Sequence, residues 1–397
     1  MIEPAPAEVR KSNLSRPIRR PRIEALTTVR FFASAYVVLF HLKVIGILAG
    51  GPWWYKNFAG IGYVGVNFFF VLSGFILVLT YAGPRLNCRQ FWRARFARIY
   101  PAYVVSLIAA APFFFFAVRH LELPFFAWSQ KHLPLALVLT STLLQAWVPQ
   151  AALTWNSVCW SLSVEAFFYL VFPLLLGWSR NLSRSKLIVG IFVCWCISLS
   201  FSLSYIHLHP DGLAAINSGA TNLFWKNVLS FNPLVRLPEF VIGMMAGRLY
   251  LRGERAYRHP NALVASGLIA FAVVIVLADK IPAPVISTGL LSVAFAAIIY
   301  GLALQPRWAR ILAFPRLVLL GDASYSLYLL HSIVITRAFD TMPYLAFSIR
   351  VAASLAVAIS ASLVCYLWFE EPARRLLRPR RTSDVSPLVV HRSQCAS

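Results

Sequence analysis

An arginine and a histidine stand at the two ends of one apolar segment, residues 30–41 (RFFASAYVVLFH). Eleven positions at about 100° each make roughly three helical turns, so Arg30 and His41 share one helix face about 16 Å apart. Ionisable side chains are costly in hydrocarbon, and those found there usually face a bundle interior or a water-filled path. The pair therefore predicts a functional site.

The chemistry that this histidine could perform is general-base catalysis. A neutral imidazole can take a proton from an alcohol when a carboxylate orients the ring and stabilises the imidazolium. Glu165, in WSLSVEAFFYLVFP, is the carboxylate whose expected depth best matches that of His41. We predict His41 and Glu165 as catalytic residues. A histidine that only hydrogen bonds between helices is the structural alternative.

A second candidate group is the basic segment FWRARFARIYPAY, residues 91–103. Arg95 and Arg98 are three positions apart on a helical turn, so both guanidinium groups could bind one phosphorylated ligand. The aromatic residues between them could lie at the lipid headgroups or stack on an adenine. The alternative is a segment that holds only anionic lipid. Because Arg30 is expected on the same side, we favour the phosphate site.

Four further residues are predicted to contact substrate. Ser73 lies in GYVGVNFFFVLSGF, whose glycines also allow close helix packing. Arg236 and Glu239 are three apart at a helix end, where an internal ion pair is the plain alternative. His331 closes the segment GDASYSLYLLH. The acids of FEEPARR, which follows the last apolar segment, could pair with arginines of the inner side.

The composition places these residues in a membrane protein. Of 397 residues, 59% are hydrophobic and 13% charged, and the mean hydropathy is +0.68, which is too apolar for a soluble domain. The net charge of +23 would suggest nucleic acid in a soluble chain, but here the basic residues form short runs between apolar segments. We expect an all-α polytopic bundle that binds no nucleic acid. The six cysteines lack metal-ligand spacing, so no metal site is predicted.

Windows of about 20 apolar residues predict about ten transmembrane helices. They cover residues 27–49, 61–82, 102–119, 158–178, 186–206, 233–251, 262–279, 283–303, 315–337 and 347–369. The apolar segment 133–148 is short and holds Pro134, Gln145 and Pro149. We therefore expect a re-entrant or interfacial segment there rather than an eleventh span.

The distribution of positive charge predicts the orientation. With ten helices both chain ends lie in the cytoplasm, and most Lys and Arg residues fall on that side, which is the positive-inside pattern. An eleventh span would move later basic intervals to the opposite side. The predicted organisation is a basic tail 1–22, a transmembrane domain 23–372 and a basic tail 373–397. The acid and base groups would then lie in the outer half of the bilayer and the arginines in the inner half.

Together these motifs resemble the acyltransferase-3 family of integral-membrane O-acyltransferases, which includes O-antigen, exopolysaccharide, nodulation-factor and macrolide acyltransferases. The likeness runs from Ile23 to Pro372. It rests on Arg30 with His41, the GVNFFFVLSGF block, the RFAR pair with IYPAY, and the segments WSLSVEAFFY, RLPEF and SYSLYLLH. No hydrolase-like extracytoplasmic domain follows the last predicted span, so we expect the stand-alone form.

The resemblance implies a ten-helix domain that takes an acyl group, usually acetyl, from cytoplasmic acyl-CoA. The acceptor would be a hydroxyl on a glycan or glycolipid. His41 would be the catalytic residue with Arg30 as its partner, and Arg95 and Arg98 would handle CoA. Acyl-CoA is then a co-substrate, and we expect no permanently bound cofactor. The expected location is a bacterial cytoplasmic (inner) membrane, with the lipid bilayer as a partner; whether the chain forms a homo-oligomer stays open.

Two other classes of protein could use the same residues. A proton-coupled secondary transporter of a small anionic or acylated solute also places His, Glu and Arg inside its bundle. Carriers usually show two similar halves, whereas this sequence has no convincing repeat and no second copy of the basic segment 91–103. A scaffold subunit would use Arg95 and Arg98 only as lipid anchors. The enzyme interpretation accounts for more of the motifs.

Overall fold

The computed structural model of the protein describes residues 23–83, 86–122, 125–220, 223–253 and 259–377. The predicted tail 1–22 lies outside these residues, as does the C-terminal tail beyond Leu377. The described residues form helices joined by short loops and contain no β-strand, which confirms the all-α class. Helices are the expected solution because a segment inside hydrocarbon must satisfy its own backbone N–H and C=O groups.

Ten principal helices coincide with the ten predicted spans, and we number them in chain order. They are α1 (Glu24–Val44), α2 (Val64–Tyr81), α3 (Cys88–His120), α4 (Trp160–Trp178), α5 (Arg184–Leu208), α6 (Pro233–Leu251), α7 (Pro260–Val276), α8 (Ser292–Ala303), α9 (Pro315–Thr341) and α10 (Phe347–Cys365).

Nine helical stretches in the described residues are long and apolar enough to cross a membrane. They include every principal helix except α7. The stretch that contains α8 begins earlier than α8 itself, in the preceding short helix Ala283–Ser287. Helix α7 is apolar but has only 17 residues, which is the lower limit for a span of the hydrocarbon core. Residues 23–377, apart from the short gaps named above, therefore form an all-α polytopic bundle with nine candidate membrane spans, which confirms the predicted class.

Short helices connect the principal ones. Besides Ala283–Ser287 they are Trp53–Gly60, Ala127–Lys131, Leu133–Ser141 and Phe224–Phe231, and a further short helix, Glu371–Leu377, follows α10. The nine residues of Leu133–Ser141 extend about 14 Å, which is less than half the thickness of the hydrocarbon core. The segment 133–148 therefore does not cross a bilayer, which agrees with the rejection of an eleventh span.

Polar caps mark the starts of three helices. The side chains of Asn87, Ser183 and Asn232 accept hydrogen bonds from the backbone N–H groups of Gln90, Lys186 and Leu234, at 3.0, 3.3 and 2.9 Å. Such caps satisfy backbone donors that lack an intrahelical partner. Residues next to the helix ends therefore determine where α3, α5 and α6 begin.

Helix α2 lies at the centre of the bundle, and small residues let its neighbours approach. A Cβ atom at Gly74 would lie 2.1 Å from the Phe240 carbonyl oxygen, and one at Gly243 would lie 1.9 Å from that of Val71. Only glycine permits this contact between α2 and α6. On the other side, a Cβ at Gly65 would lie 2.8 Å from the backbone oxygen of Ala33 in α1. The predicted packing role of the α2 glycines is confirmed.

Helix α9 covers the face of α1 that carries the arginine and the histidine. A Cβ at Gly321 would lie 2.2 Å from the Thr27 carbonyl oxygen, so the two backbones touch at the start of α1. Further along, the hydroxyl of Ser34 donates a hydrogen bond of 2.9 Å to the Ser324 carbonyl. Ser34 is fully buried. The contact explains how His331, which lies on α9, comes to stand beside α1.

Candidate active site

A cavity of about 170 Å³ lies among α1, α2, α3, α4 and α9. It gathers five of the site residues predicted from the sequence, which come from four different helices: Arg30, Ser73, Arg95, Arg98 and Glu165. Its other polar lining residues are Ser161, Tyr169, Ser324, Tyr325 and Tyr328. Three guanidinium groups around one space make it suited to an anionic ligand.

Arg95 lies among aromatic rings. Its guanidinium carbon is 5.4 Å from the ring centroid of Tyr81, 5.7 Å from that of Tyr169 and 6.0 Å from that of Phe91. One terminal nitrogen donates to the Tyr81 hydroxyl at 3.1 Å, while the buried Nε has no hydrogen-bond partner among the described residues. No described carboxylate forms an ion pair with it. Arg95 therefore keeps donor capacity for a ligand.

Arg98 is held by a carboxylate from the other end of the chain. It forms an ion pair with Glu370, in the π-helical turn Tyr366–Glu370 that follows α10. The second oxygen of Glu370 accepts a hydrogen bond of 2.8 Å from Ser326 on α9. The guanidinium also lies 5.1 Å from the Tyr325 ring centroid. The predicted pairing of an acid of FEEPARR with an inner arginine is confirmed.

Glu165 lines the cavity, whereas His41 does not. Its Oε1 accepts a hydrogen bond from the hydroxyl of Tyr169, one turn further along α4, and another from Ser73 at 3.4 Å. In the part of the chain that the structure describes, no hydrogen bond joins Glu165 to His41, so the predicted orientation of the imidazole by Glu165 is not seen here. The reason is that α4 directs Glu165 toward the arginines of α1 and α3. A catalytic role for Glu165 from within the cavity stays a prediction.

His41 pairs with a second histidine. The ring centroids of His41 and His331 are 4.8 Å apart, with an interplanar angle of 64°. His41 Nδ1 lies 2.9 Å from the Val37 carbonyl oxygen, one turn back along α1. Neither histidine lines the cavity, but the ring of Tyr328, which does, has its centroid 6.2 Å from that of His331. The histidine pair therefore adjoins the cavity, with Tyr328 between them.

His331 was predicted only as a substrate contact, and its pairing with His41 was not predicted. The predicted depth in the bilayer could have indicated the pair, because both histidines are predicted in the outer half of their helices. What the sequence lacked was the information that α1 and α9 are neighbours. That contact rests on Gly321 and Ser34, as described above.

The predicted substrate contacts Arg236 and Glu239 form a closed site of their own. Arg236 Nη1 lies 3.0 Å from Glu239 Oε1, its Nε donates to the Ser230 carbonyl at 2.8 Å, and it also donates to the Ser287 carbonyl. Glu239 accepts a further hydrogen bond of 3.2 Å from Asn67. Both are buried and neither lines the cavity. The internal ion pair is confirmed, and contact with substrate stays a prediction.

Comparison with known proteins identifies the class to which this architecture belongs. A family model described as an acyltransferase domain matches residues 23–368. The chain therefore belongs to the acyltransferase-3 family, as the motifs indicated, and it is an enzyme that transfers acyl groups. This decides against the transporter and scaffold alternatives.

The relatives found are themselves described as acyltransferases or as polysaccharide proteins. Acyltransferase MdmB of Streptomyces mycarofaciens is 28% identical over 94% of this chain and 96% of the relative. Exopolysaccharide production protein ExoZ of Rhizobium meliloti (strain 1021) is 29% identical over 81% and 93%. O-acetyltransferase OatA of Staphylococcus aureus (strain NCTC 8325 / PS 47) is 23% identical over 89% and 57%. No solved structure matches the chain.

Proposed function

We propose that this enzyme moves an acyl group, most simply acetyl, from cytoplasmic acyl-CoA to a hydroxyl of a glycan, glycolipid or other envelope or secreted acceptor. The observation that carries the proposal is the convergence of Arg30, Arg95 and Arg98 on one cavity beside the histidine pair. Support for the acceptor class comes from the relatives, whose names include exopolysaccharide production and O-acetyl transfer.

The donor would bind with its phosphates toward the arginines. Guanidinium groups bind phosphate through paired N–H donors, and the aromatic rings around Arg95 orient its fork. The Tyr81 hydroxyl accepts from one terminal nitrogen, and Nε has no partner among the described residues. Arg98 keeps its place through Glu370. The pantetheine arm is long and narrow, so it could extend the thioester from the arginine side of the cavity past Tyr328 toward His41.

His41 would perform the chemistry. A carbonyl oxygen can only accept a hydrogen bond, so the 2.9 Å contact with Val37 assigns a proton to Nδ1. Nε2 then carries the lone pair and could take the proton of the acceptor hydroxyl while the oxygen attacks the thioester carbonyl. An acyl relay, in which Nε2 itself first takes the acyl group, uses the same atom.

The location that we propose is a bacterial cytoplasmic (inner) membrane, with both chain ends in the cytoplasm. The positive-inside distribution of Lys and Arg supports this orientation. It places the arginines near the cytoplasmic pool of acyl-CoA and His41 toward the opposite side, where an envelope acceptor would arrive.

The test compares wild type, His41→Ala and a matched control, His207→Ala, which removes an exposed histidine from the end of α5. Purified protein is titrated with acetyl-CoA by calorimetry. CoA release is then followed with octyl β-glucoside as a simple glycolipid probe and with bacterial envelope polysaccharide. We expect all three proteins to bind acetyl-CoA, and His41→Ala to lose about 10²–10⁴-fold in transfer rate.

Two outcomes would contradict the proposal. Wild-type protein that binds no acyl-CoA would refute the donor assignment. Transfer by His41→Ala at the rate of His207→Ala would refute the role of His41, while leaving membership of the acyltransferase family in place.

A further inference from the structure

His331 has a buried acceptor atom without a partner. Its side chain is almost completely buried, and Nδ1 lies 2.7 Å from the Tyr328 carbonyl oxygen and 3.2 Å from that of Leu327. Nε2 is buried and has no hydrogen-bond partner among the described residues. Buried polar atoms are nearly always paired, because leaving one unpaired costs its full desolvation penalty. An exception beside the predicted catalytic residue calls for an explanation.

The backbone contacts assign the same tautomer to both histidines. Nδ1 of His41 and Nδ1 of His331 each face a carbonyl oxygen, so each carries the ring proton. Nε2 is then a bare acceptor in both rings. Two acceptors cannot hydrogen bond to each other, so the neutral pair has no N–H···N bond. A proton added to Nε2 of either ring would create one.

We propose that His331 is a positioning residue for His41: its Nε2 accepts a hydrogen bond from Nε2–H of His41 once His41 has taken the acceptor's proton. The inference rests on the proposed function, in which His41 is the base. The centroid separation of 4.8 Å allows an N···N contact of roughly 3 Å after the ring edges turn toward each other. The imidazolium is thereby held and stabilised while the acyl group transfers.

The step balances without any further reactant. The acceptor oxygen forms a bond to the thioester carbonyl carbon, and its proton moves to His41 Nε2. The C–S bond breaks and CoA leaves as a thiolate. The proton, shared between His41 and His331 in the meantime, then passes to the thiolate sulfur. Free CoA and an ester are the products, and both imidazoles are neutral again.

The surroundings of His41 explain why a histidine, rather than a carboxylate, would accept the hydrogen bond of its imidazolium. Stabilisation of the imidazolium is the part that the sequence assigned to Glu165, but that carboxylate is engaged by Tyr169 and Ser73. No described carboxylate hydrogen bonds to His41. A neutral imidazole supplies an acceptor without adding a second buried charge, which would be costly while His41 is neutral.

Two amide substitutions separate this role from a structural one. In His331→Gln the side-chain carbonyl can stand where Nε2 was and still accept from His41. In His331→Asn the amide N–H can stand where Nδ1–H was and still bond to Tyr328, but no acceptor reaches His41. With acetyl-CoA and octyl β-glucoside, we expect kcat to fall by up to tenfold in His331→Gln and by 30-fold or more in His331→Asn. The KM for acetyl-CoA should be unchanged in both.

The opposite ranking would overturn the inference, because rescue by His331→Asn would mean that the Tyr328 contact is what matters. Wild-type kcat in both variants would overturn it as well. If one of these results is found while His41→Ala is inactive, only the positioning role of His331 is refuted. If His41→Ala retains full transfer, the proposed function fails with it.

A second measurement needs no substitution and covers the case in which the variants do not fold. NMR of the wild-type protein with ¹⁵N-labelled histidine in micelles reports which ring nitrogen carries the proton. We expect the resonances of both His41 and His331 to show protonated Nδ1 and bare Nε2 in the free enzyme at neutral pH. A proton on Nε2 of either ring would overturn the inference.

Discussion

The pairs Arg236–Glu239 and Arg98–Glu370 both join a guanidinium to a carboxylate inside the helix bundle, but their surroundings differ. Arg236 donates to Glu239 and to two backbone carbonyls, and it does not line the cavity. Arg98 lines the cavity together with Arg30 and Arg95. Both guanidinium groups also lie near an aromatic ring, that of Arg236 at 5.6 Å from the Trp160 centroid and that of Arg98 at 5.1 Å from the Tyr325 centroid, so the rings do not distinguish the two sites. The first site is closed and the second is open to a ligand.

This difference separates two uses of the same side chain. An arginine whose donors end on backbone carbonyls holds helices together. An arginine held by aromatic faces, as Arg95 is, keeps its place and leaves N–H groups unpaired. Charge and burial alone do not distinguish the two; the acceptors do. A change at the closed site should therefore affect stability without affecting donor binding, whereas changes at the open site should affect donor binding.

The largest effect is expected at the closed site. Arg236→Leu leaves Glu239 as an unpaired buried carboxylate, and the free energy of unfolding should fall by about 3–5 kcal/mol. Unfolding in mixed detergent–SDS micelles measures it. Adding Glu239→Leu should recover most of the loss, because apolar residues can replace a buried ion pair. Weaker acetyl-CoA binding by the folded single variant would contradict the assignment of a closed site.

At the open site a variant should affect both properties. Arg98→Leu strands Glu370, but the arginine side chain is 15% exposed against 4% for Arg236, so we expect a smaller stability loss of about 2 kcal/mol. Donor affinity should fall as well. Adding Glu370→Gln should restore stability but not acetyl-CoA binding. If affinity returned with stability, Arg98 would act on the fold only.

Arg95 should affect donor binding more than stability. Arg95→Gln removes a charged donor that no described carboxylate compensates, and acetyl-CoA should bind about tenfold more weakly, which is about 1.4 kcal/mol. Calorimetry measures the affinity, and the unfolding free energy should fall by no more than about 1 kcal/mol, because the hydrogen bond to the Tyr81 hydroxyl is lost. The matched control is Arg93→Gln, two positions earlier, whose exposed side chain does not line the cavity. Equal effects of both substitutions would remove the distinction between them.

The smallest effect is expected at the hydrogen bond inside the cavity. Tyr169→Phe removes the hydroxyl that Glu165 accepts from, while the hydroxyl of Ser73 remains. The unfolding free energy should fall by about 0.5–1.5 kcal/mol, the usual contribution of one hydrogen bond. The unfolding assay above measures it. A loss as large as that of Arg236→Leu would mean that Glu165 belongs to the framework of the bundle rather than to the cavity.

Most helices were predictable to within a few residues, because the number of apolar residues needed to cross a bilayer is a property of each segment alone. The exceptions are α3, which begins at Cys88 rather than at 102, and α8, which begins at Ser292 rather than at 283. About 20 apolar residues are needed to cross the bilayer, and each span can be recognised without knowing its neighbours. The same rule distinguished the segment 133–148 from a transmembrane span, since this segment is short and interrupted by proline. Arg95 and Arg98 were also recognisable as a pair from local sequence, because they are three positions apart on α3.

The partners of the ionisable groups were less predictable. The depth of a residue along its helix can be counted from the sequence, and the predicted depth of Glu165 equals that of His41. The rotation of α4 about its axis then turned Glu165 toward Arg30 and Arg98 instead. Likewise, the acids after α10 were expected to meet inner arginines, but only the folded chain shows that Glu370 meets Arg98.

The sequence by itself determined a helical membrane protein of the acyltransferase-3 family, the positions of its spans and the residue types of its site, because each follows from local composition and motif. The tertiary structure alone decided which of those residues meet. It brought His41 to His331 and Glu165 into the arginine-lined cavity. The physical reason is that helical periodicity sets the face on which a side chain lies, whereas close packing at Gly74, Gly243 and Gly321 selects the helix that covers that face.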